Sequence, residues 1–305
     1  MKVAVIMSTY NGQKYLNEQI ESILNQEGVK IELFIRDDGS SDGTKDILKK
    51  YEDTFSNVHV NMGQNIGFRK SFILELRRAI GFDYYAFSDQ DDYWDRKKLN
   101  AACKMIAEYS QAKDTPIVYY SNLNVADKNL NIYRKTKLEN RKHCLESLVM
   151  RRSIAGCTMA FNAEMWKLIC KAETSDAMLM RGHDSFIISL CYAIGGTVIC
   201  DSNAYIRYRQ HDDNTSGGSQ GIVKRLKKEW TALFDKKGFE PAVAKSILDN
   251  WDELINDNVR SSLELISRNN ENIGCRFLIL ISRKFTTGDL KLTVLGKFRA
   301  IAGLL

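Results

Sequence analysis

Hydrophobic and polar positions alternate between two periods over the first 120 residues. Val3–Met7 is an apolar run too short for a helix and predicts a strand buried on both faces. Tyr15, Leu16, Ile20, Ile23 and Leu24 then recur at helical spacing. Ile31–Ile35 predicts a second strand and is followed by a short helix with Ile47 and Leu48 inward. Val58–Val60 is a third strand, and Phe68, Phe72, Ile73, Leu76 and Ile80 mark the next helix, which Gly81 can close. A strand over 84–87, a helix near 97–109 and a strand over 117–120 complete the series. Repeated strand–helix units predict an α/β fold, with a mostly parallel sheet flanked by helices.

The pattern loosens from 121 to 155. Beyond it, Gly156–Phe161 reads as a strand, 164–170 as a short helix and 184–194 as a longer helix closed by Gly195. Thr197–Cys200 and Ala204–Arg209 read as two further strands. After Gly217-Gly218-Ser219 the chain reads as helices to its end. The expected organisation is a catalytic α/β domain over 1–218 and a basic helical region over 219–305.

Charge sharpens that division. Residues 221–305 hold 15 Lys/Arg against 10 Asp/Glu, whereas the preceding 220 hold 29 against 28. The net +6 therefore belongs to the C-terminal end, where an anionic partner surface or a solvated helical face would account for it. No nucleic-acid recognition module is evident, so that partner class is set aside. Seven cysteines in no CxxC spacing, several in apolar runs, suggest reduced buried thiols. Val3–Met7 is too short for a signal-peptide core, and no run approaches the ~18 apolar residues of a membrane span. The chain is expected in the cytoplasm.

Three polar clusters follow three of the predicted strands. Ser8-Thr9-Tyr10-Asn11-Gly12 follows the first, Asp37-Asp38-Gly39-Ser40 the second and Asp89-Gln90-Asp91-Asp92 the fourth. In a parallel sheet these loops share one edge, where open α/β sheets place their ligands. Asp37-Asp38-Gly39-Ser40 alone would read as a turn capping a helix, but three such clusters together are harder to explain as turns. Acids crowded at 89–92 repel one another unless a cation binds, and oxygen ligands suit Mg²⁺ or Mn²⁺.

Together with Asn65-Ile66-Gly67-Phe68, Gly182-His183-Asp184 and Tyr208-Arg209-Gln210-His211, these clusters make the chain resemble a family 2 glycosyltransferase of the GT-A fold over about 1–215. Ser-Asp-Gln-Asp-Asp with a later Tyr-Arg-Gln-His is similar to bacterial rhamnosyltransferases of cell-wall polysaccharide synthesis. The resemblance implies a metal-dependent inverting transfer of a sugar, with rhamnose a candidate, from a UDP- or dTDP-sugar to a saccharide acceptor. It gives Asp37 or Asp38 the N3–H of the base, which an ionised carboxylate can only accept. Thr9 and Tyr10 would flank base and ribose. Asp91 would ligate the metal, Asp89 the ribose or metal, and His211 would complete the metal shell, tilting the choice toward Mn²⁺. Asp184 would be the general base, with helix capping as its ordinary alternative and His183 standing where the pattern commonly has Glu. Gly156 would let backbone approach the donor sugar or simply form a turn. Asp92 is expected to cap the helix near 97 rather than bind the metal.

Other readings remain open at this point. Trp94 and Trp166 could stack on sugar or belong to the core, and Arg69 and Lys70 could reach a diphosphate or be solvated. Two basic stretches with apolar faces, 222–237 and 273–305, suit either peripheral contact with the inner face of the plasma membrane or packing on the protein. Membrane contact would suit a lipid-linked acceptor. A sugar-nucleotide nucleotidyltransferase is disfavoured because Ser8–Gly12 is not a Gly-rich, Lys/Arg-bearing loop. A non-catalytic saccharide-binding or scaffold subunit with the same fold is the other alternative.

Overall fold

The computed structural model describes residues 1–110, 114–151, 154–173, 175–211 and 239–305. The chain folds as two compact units. The first comprises Met1–Leu138, Ile154–Thr174 and Thr197–Arg209, and the second Glu139–Ser153, Ser175–Gly196 and Gln210–Leu305. The boundary expected near 218 and the basic stretch 222–237 lie outside the described residues.

The described strands of the first unit are β1 (Lys2–Thr9), β2 (Lys30–Asp37), β3 (Val58–Met62), β4 (Tyr84–Ser88), β5 (Tyr93–Trp94), β6 (Ile117–Ala126), β7 (Ile132–Lys135), β8 (Ala160–Asn162) and β9 (Thr197–Arg209). They form one sheet in the order β3-β2-β1-β4-β8-β6-β9-β5, with β7 paired to β6. β3, β2, β1 and β4 run parallel, and antiparallel pairing enters where β8 inserts between β4 and β6.

Both faces of β1 are covered, which explains its unbroken apolar run. Side chains alternate along a strand. Val3, Val5 and Met7 join the core formed with helices Leu16–Leu24, Thr44–Thr54 and Lys98–Tyr109 through Leu16, Ile20, Leu48 and Leu99. Helices Phe68–Arg78 and Ala163–Lys171 supply a second aromatic layer. There Phe72 meets Phe87 edge-on, and Tyr85 stacks on both Phe161 and Trp166. Trp166 Nε1 donates to the Leu76 carbonyl at 3.0 Å, and Trp94 is fully buried. Trp94 is thus a core residue, and Trp166 is half-buried against Tyr85.

Two local expectations are revised. Gly156–Thr158 is a 3₁₀ turn rather than the start of a strand, and only Ala160–Asn162 pairs into the sheet. The two strands expected over 197–209 are one, β9, whose register against β6 shifts near Ser121 and Asn122. The shift explains why the apolar pattern breaks at Asp201–Asn203 although the strand continues.

In the second unit, helix His183–Ala193 is buried almost throughout, with Phe186 against Trp251. Glu146 accepts from Ser262 Oγ at 2.5 Å, and the Asn256 N–H donates to the Ala193 carbonyl at 2.8 Å. Residues 139–153 and 175–196 therefore pack with the C-terminal helices, a long-range association that periodicity does not reveal. None of the seven cysteines forms a disulfide. No described helix is long and apolar enough to cross a membrane.

Lys98 is buried in the first unit, as are Arg36 and Arg209. Lys98 is 1% exposed, with Nζ 3.6 Å from the Trp94 ring centroid. Burial lowers its amine to about 7, against the opposing pull of Cys157, Cys103 and Asp92. The folded chain therefore holds this proton less tightly than the unfolded chain, so the Lys98 contribution to stability rises as pH climbs above about 7. Asp92 and Cys157, and above about pH 9 the Cys103 thiol pushed by burial to about 12, act in the opposite direction. Lys98→Met is expected to be more stable than the wild type at about pH 6 by about 1–4 kcal/mol and to lose that advantage between about pH 7 and 9. Denaturant unfolding of both proteins across that range checks this. A difference between the two proteins that does not change with pH would refute it.

Candidate active site

β1 lies between β2 and β4 with registers Thr9↔Asp37 and Met7↔Ser88, so the loops after all three strands leave one sheet edge. The first two are stitched together. Asn11 takes φ 48°, a left-handed conformation that asparagine tolerates better than most residues. Its N–H donates to Ser40 Oγ at 2.9 Å and its Oδ1 accepts from the Ser41 N–H at 2.9 Å. The Gly12 N–H donates to Thr44 Oγ1 and the Gly43 N–H to Gln13 Oε1, each at 2.9 Å.

Asp37 and Asp38 leave β2 on opposite faces and hold different loops. Asp37 accepts from Thr9 Oγ1 at 3.1 Å, Ser40 N at 2.9 Å and Ser40 Oγ at 2.5 Å. Asp38 accepts from Arg36 at 2.6 Å and from the N–H groups of Ile66 and Gly67 at 2.9 and 2.8 Å. Gly67 sits at φ 85°, the left-handed region that glycine enters without strain. The two carboxylates are buried, and protein donors already engage both.

The third loop joins through Gln90, which the sequence reading left without a role. Its side-chain amide accepts from the Tyr10 N–H at 2.9 Å and donates to the Tyr10 carbonyl at 3.1 Å, pairing with that backbone as another strand would. The Tyr10 side chain itself remains half exposed. A Cβ on Gly12 would lie 2.3 Å from Gln90 Oε1, so the contact uses the missing side chain.

Arg209, at the end of β9, fixes the acidic loop. Its N–H donates to Asp92 Oδ1 at 3.1 Å and its Nε to the Asp91 carbonyl at 2.8 Å. Its guanidinium pairs with Glu18 and lies 4.3 Å from the Tyr15 ring centroid. An arginine ending a strand within Tyr208-Arg209-Gln210-His211 was the available signal for this role.

Asp92 does not cap the following helix, because it is fully buried beneath the loop. Asp95 takes that place: Oδ1 accepts from the Lys97 N–H at 2.9 Å and the carbonyl from the Lys98 N–H at 3.1 Å. Ligand atoms of Asp89, Asp92 and Cys157 lie within 4.8 Å of one another. Asp92 Oδ2 is buried and receives no N–H or O–H; the Cys157 thiol lies beside it. Burial, then Asp89 and Asp91, push the Asp92 carboxyl well above the usual carboxylate range. Burial, then Asp92 and Asp89, likewise push the Cys157 thiol up. Half-buried Asp89 and Asp91 above a crowded, under-donated carboxylate fit a divalent cation. Gly156 opens the turn that presents Cys157, and no sequence period marked that cysteine or Lys98 as neighbours of the acids.

In the second unit, Gly182 precedes helix His183–Ala193 at φ 124°. A Cβ there would approach Asp184 Oδ1 to 2.5 Å, so glycine is required for both conformation and space. Asp184 lies in the first helical turn rather than at the cap, half-buried, and accepts from the Ser185 N–H at 2.7 Å. His183 beside it is buried, and His211 is half-buried.

Comparison with known proteins places this geometry. A profile described as Glycosyl transferase family 2 matches residues 4–165. The dTDP-rhamnosyl transferase RfbG of Shigella flexneri is 25% identical over 253 residues, covering 78% of this chain and 82% of the relative. The putative teichuronic acid biosynthesis glycosyltransferase TuaG of Bacillus subtilis is 32% identical over 160 residues, covering 51% and 59% respectively. Among solved structures, TarS residues 1–349 of S. aureus with UDP-GlcNAc superposes with a TM-score of 0.61 at 16% identity, covering 99% of this chain and 82% of that one. The fold is GT-A. The chain belongs to glycosyl transferase family 2 and is a glycosyltransferase.

Proposed function

We propose that the protein is a divalent-metal-dependent, inverting glycosyltransferase. It transfers a sugar from a UDP- or dTDP-sugar to a lipid-linked saccharide during synthesis of a bacterial surface polysaccharide. The observation that carries this reading is the convergence of the Thr9, Asp37 and Asp89 loops on one sheet edge, with Asp91 and a buried Asp92 in the third. RfbG is named for dTDP-rhamnose and TarS is bound to UDP-GlcNAc, which supports a pyrimidine nucleotide donor with rhamnose first among the sugars. TuaG is named for teichuronic acid biosynthesis, which supports a surface-polysaccharide acceptor. Catalysis is placed at the inner face of the plasma membrane.

In this reading the pyrimidine and ribose lie against Thr9 and Tyr10. Asp37 or Asp38 accepts the base N3–H by exchanging one of its protein donors. Asp91, with Asp89 and His211, holds Mn²⁺ or Mg²⁺. When bound, the ion neutralises the charge that the diphosphate gains as it leaves. The Gly156 turn faces the donor sugar. Asp184 accepts the acceptor hydroxyl's proton as that oxygen bonds to the anomeric carbon and the carbon–oxygen bond to the diphosphate breaks, inverting the centre. Its place in the first helical turn behind Gly182, with the Ser185 N–H on its carboxylate, supports that role.

The direct test is a panel of nucleotide sugars with Mg²⁺ or Mn²⁺, dTDP-rhamnose first, read by released nucleotide. Calorimetry that detects no uridine or thymidine nucleotide binding in the presence of Mn²⁺ would sink the reading. Asp91→Asn is expected to weaken Mn²⁺-dependent nucleotide binding at least about tenfold. Unchanged affinity would remove Asp91 from the metal. Asp184→Asn is expected to keep nucleotide affinity within about twofold while transfer falls about 10²–10⁴-fold. Full transfer by that variant would show that another group takes the proton, and a wild type that binds nucleotide but never transfers would favour a scaffold role.

A further inference from the structure

We propose that the paired C-terminal helices Ile273–Ile281 and Leu290–Ile301 dock on an anionic lipid surface through two apolar stripes that the fold leaves open. The inference deepens the proposed lipid-linked acceptor and rests on that reading for its purpose, while its geometry is independent. In the first helix Ile273, Phe277 and Ile281 recur every four residues and are exposed, Ile273 to 75%. In the second, Leu290, Val294, Phe298 and Ile301 recur at four-, four- and three-residue steps and are likewise exposed, Leu290 to 82%. At about 100° per residue each set spans only about 80° of its helix, which makes a continuous stripe.

The opposite sides are already used. Cys275 and Ile279 of the first helix, and Gly296 and Ala300 of the second, are buried. The first helix therefore carries apolar residues nearly all round, with Arg276 its one charged residue. A helix of that kind is stable against water only if something covers its open side.

Charge selects what covers it. On the second helix Lys291 and Lys297 flank the stripe, about 20° beyond either edge, Lys291 exposed and Lys297 half-buried with Nζ donating to the Ser282 carbonyl at 3.2 Å. Arg283 and Lys284 stand exposed in the connection between the helices. Residues 273–305 carry six Lys/Arg and one acid, Asp289. That acid is occupied at the helix start, where Oδ1 accepts from the Leu292 N–H at 3.0 Å. Lysines beside an apolar stripe can extend their charged ends toward headgroup phosphates while their stems stay apolar. A second copy of this chain is the poorer occupant. A two-fold contact through these stripes would oppose basic residue to basic residue with no acid to neutralise them.

The test is co-sedimentation of the purified full chain with vesicles of phosphatidylcholine alone or mixed with phosphatidylglycerol, at low and high salt. Size and nucleotide binding are measured on the same samples. The wild type is expected to bind the phosphatidylglycerol vesicles, weaken at high salt and bind phosphatidylcholine poorly. Phe277→Glu with Phe298→Glu is expected to lose at least about tenfold in partitioning while keeping its melting temperature and nucleotide affinity, since both rings are exposed. Lys291→Glu with Arg283→Glu, both exposed, is expected to lose the salt-sensitive part. No partitioning of the wild type, or partitioning unchanged in both variants, overturns the proposal. So does a wild-type dimer that the phenylalanine variant dissociates without any vesicle binding. Nucleotide binding with no vesicle binding removes only the lipid surface, whereas vesicle binding without nucleotide binding removes only the transferase reading.

Discussion

The site depends first on the register of β1 between β2 and β4. Thr9 opposite Asp37 and Met7 opposite Ser88 bring three loops to one edge, and each loop is then tied to its neighbour by a side chain imitating backbone. Gln90 pairs with the Tyr10 peptide, and Asn11 with Ser40 and Ser41. A one-residue slip of β2 would exchange the faces of Asp37 and Asp38, so Thr9 would lose its carboxylate and Gly67 its anchor. The burial of Ile31, Leu33 and Ile35 makes such a slip costly, because all three would leave their core layer.

Electrostatic tension is concentrated just below that edge. Arg209 reaches the acidic loop through its backbone N–H to Asp92 and its Nε to the Asp91 carbonyl, while its terminal nitrogens are taken by Glu18 and the Lys128 carbonyl. Lys98 is buried nearby, yet burial itself weakens its hold on the proton. Asp92 and Cys157 are accordingly pushed toward their neutral forms. A region left this short of positive charge is suited to a cation from solution, which is the physical basis of the proposed metal.

Much of this was legible in the sequence because the signals were local. Val3–Met7, Ile31–Ile35 and the polar clusters after them are short, contiguous and matched by the observed strand ends. Their repetition pointed to an α/β class with a mostly parallel sheet, and the resemblance of the motifs to family 2 glycosyltransferases implied the GT-A fold. What escaped was non-local. Gln90 lies 80 residues from Tyr10, and Cys157 meets Asp92 through a turn where a strand was expected. The assignment of Asp92 to a helix cap failed because Asp95, three residues later, makes those bonds. The segments 139–153 and 175–196 could not be assigned to the helical unit, because nothing in their periodicity records what they pack against.

The loops after β1 and β2 have a kinetic consequence. Their polar groups are already paired to one another, with Asn11 and Gly67 set in their left-handed conformations. A ligand arriving at this edge has little chain to order, so association there need not wait for folding of the loops. It must instead exchange bonds already made, one carboxylate donor for another. Discrimination among related ligands then resides in how long each stays bound rather than in how quickly it arrives.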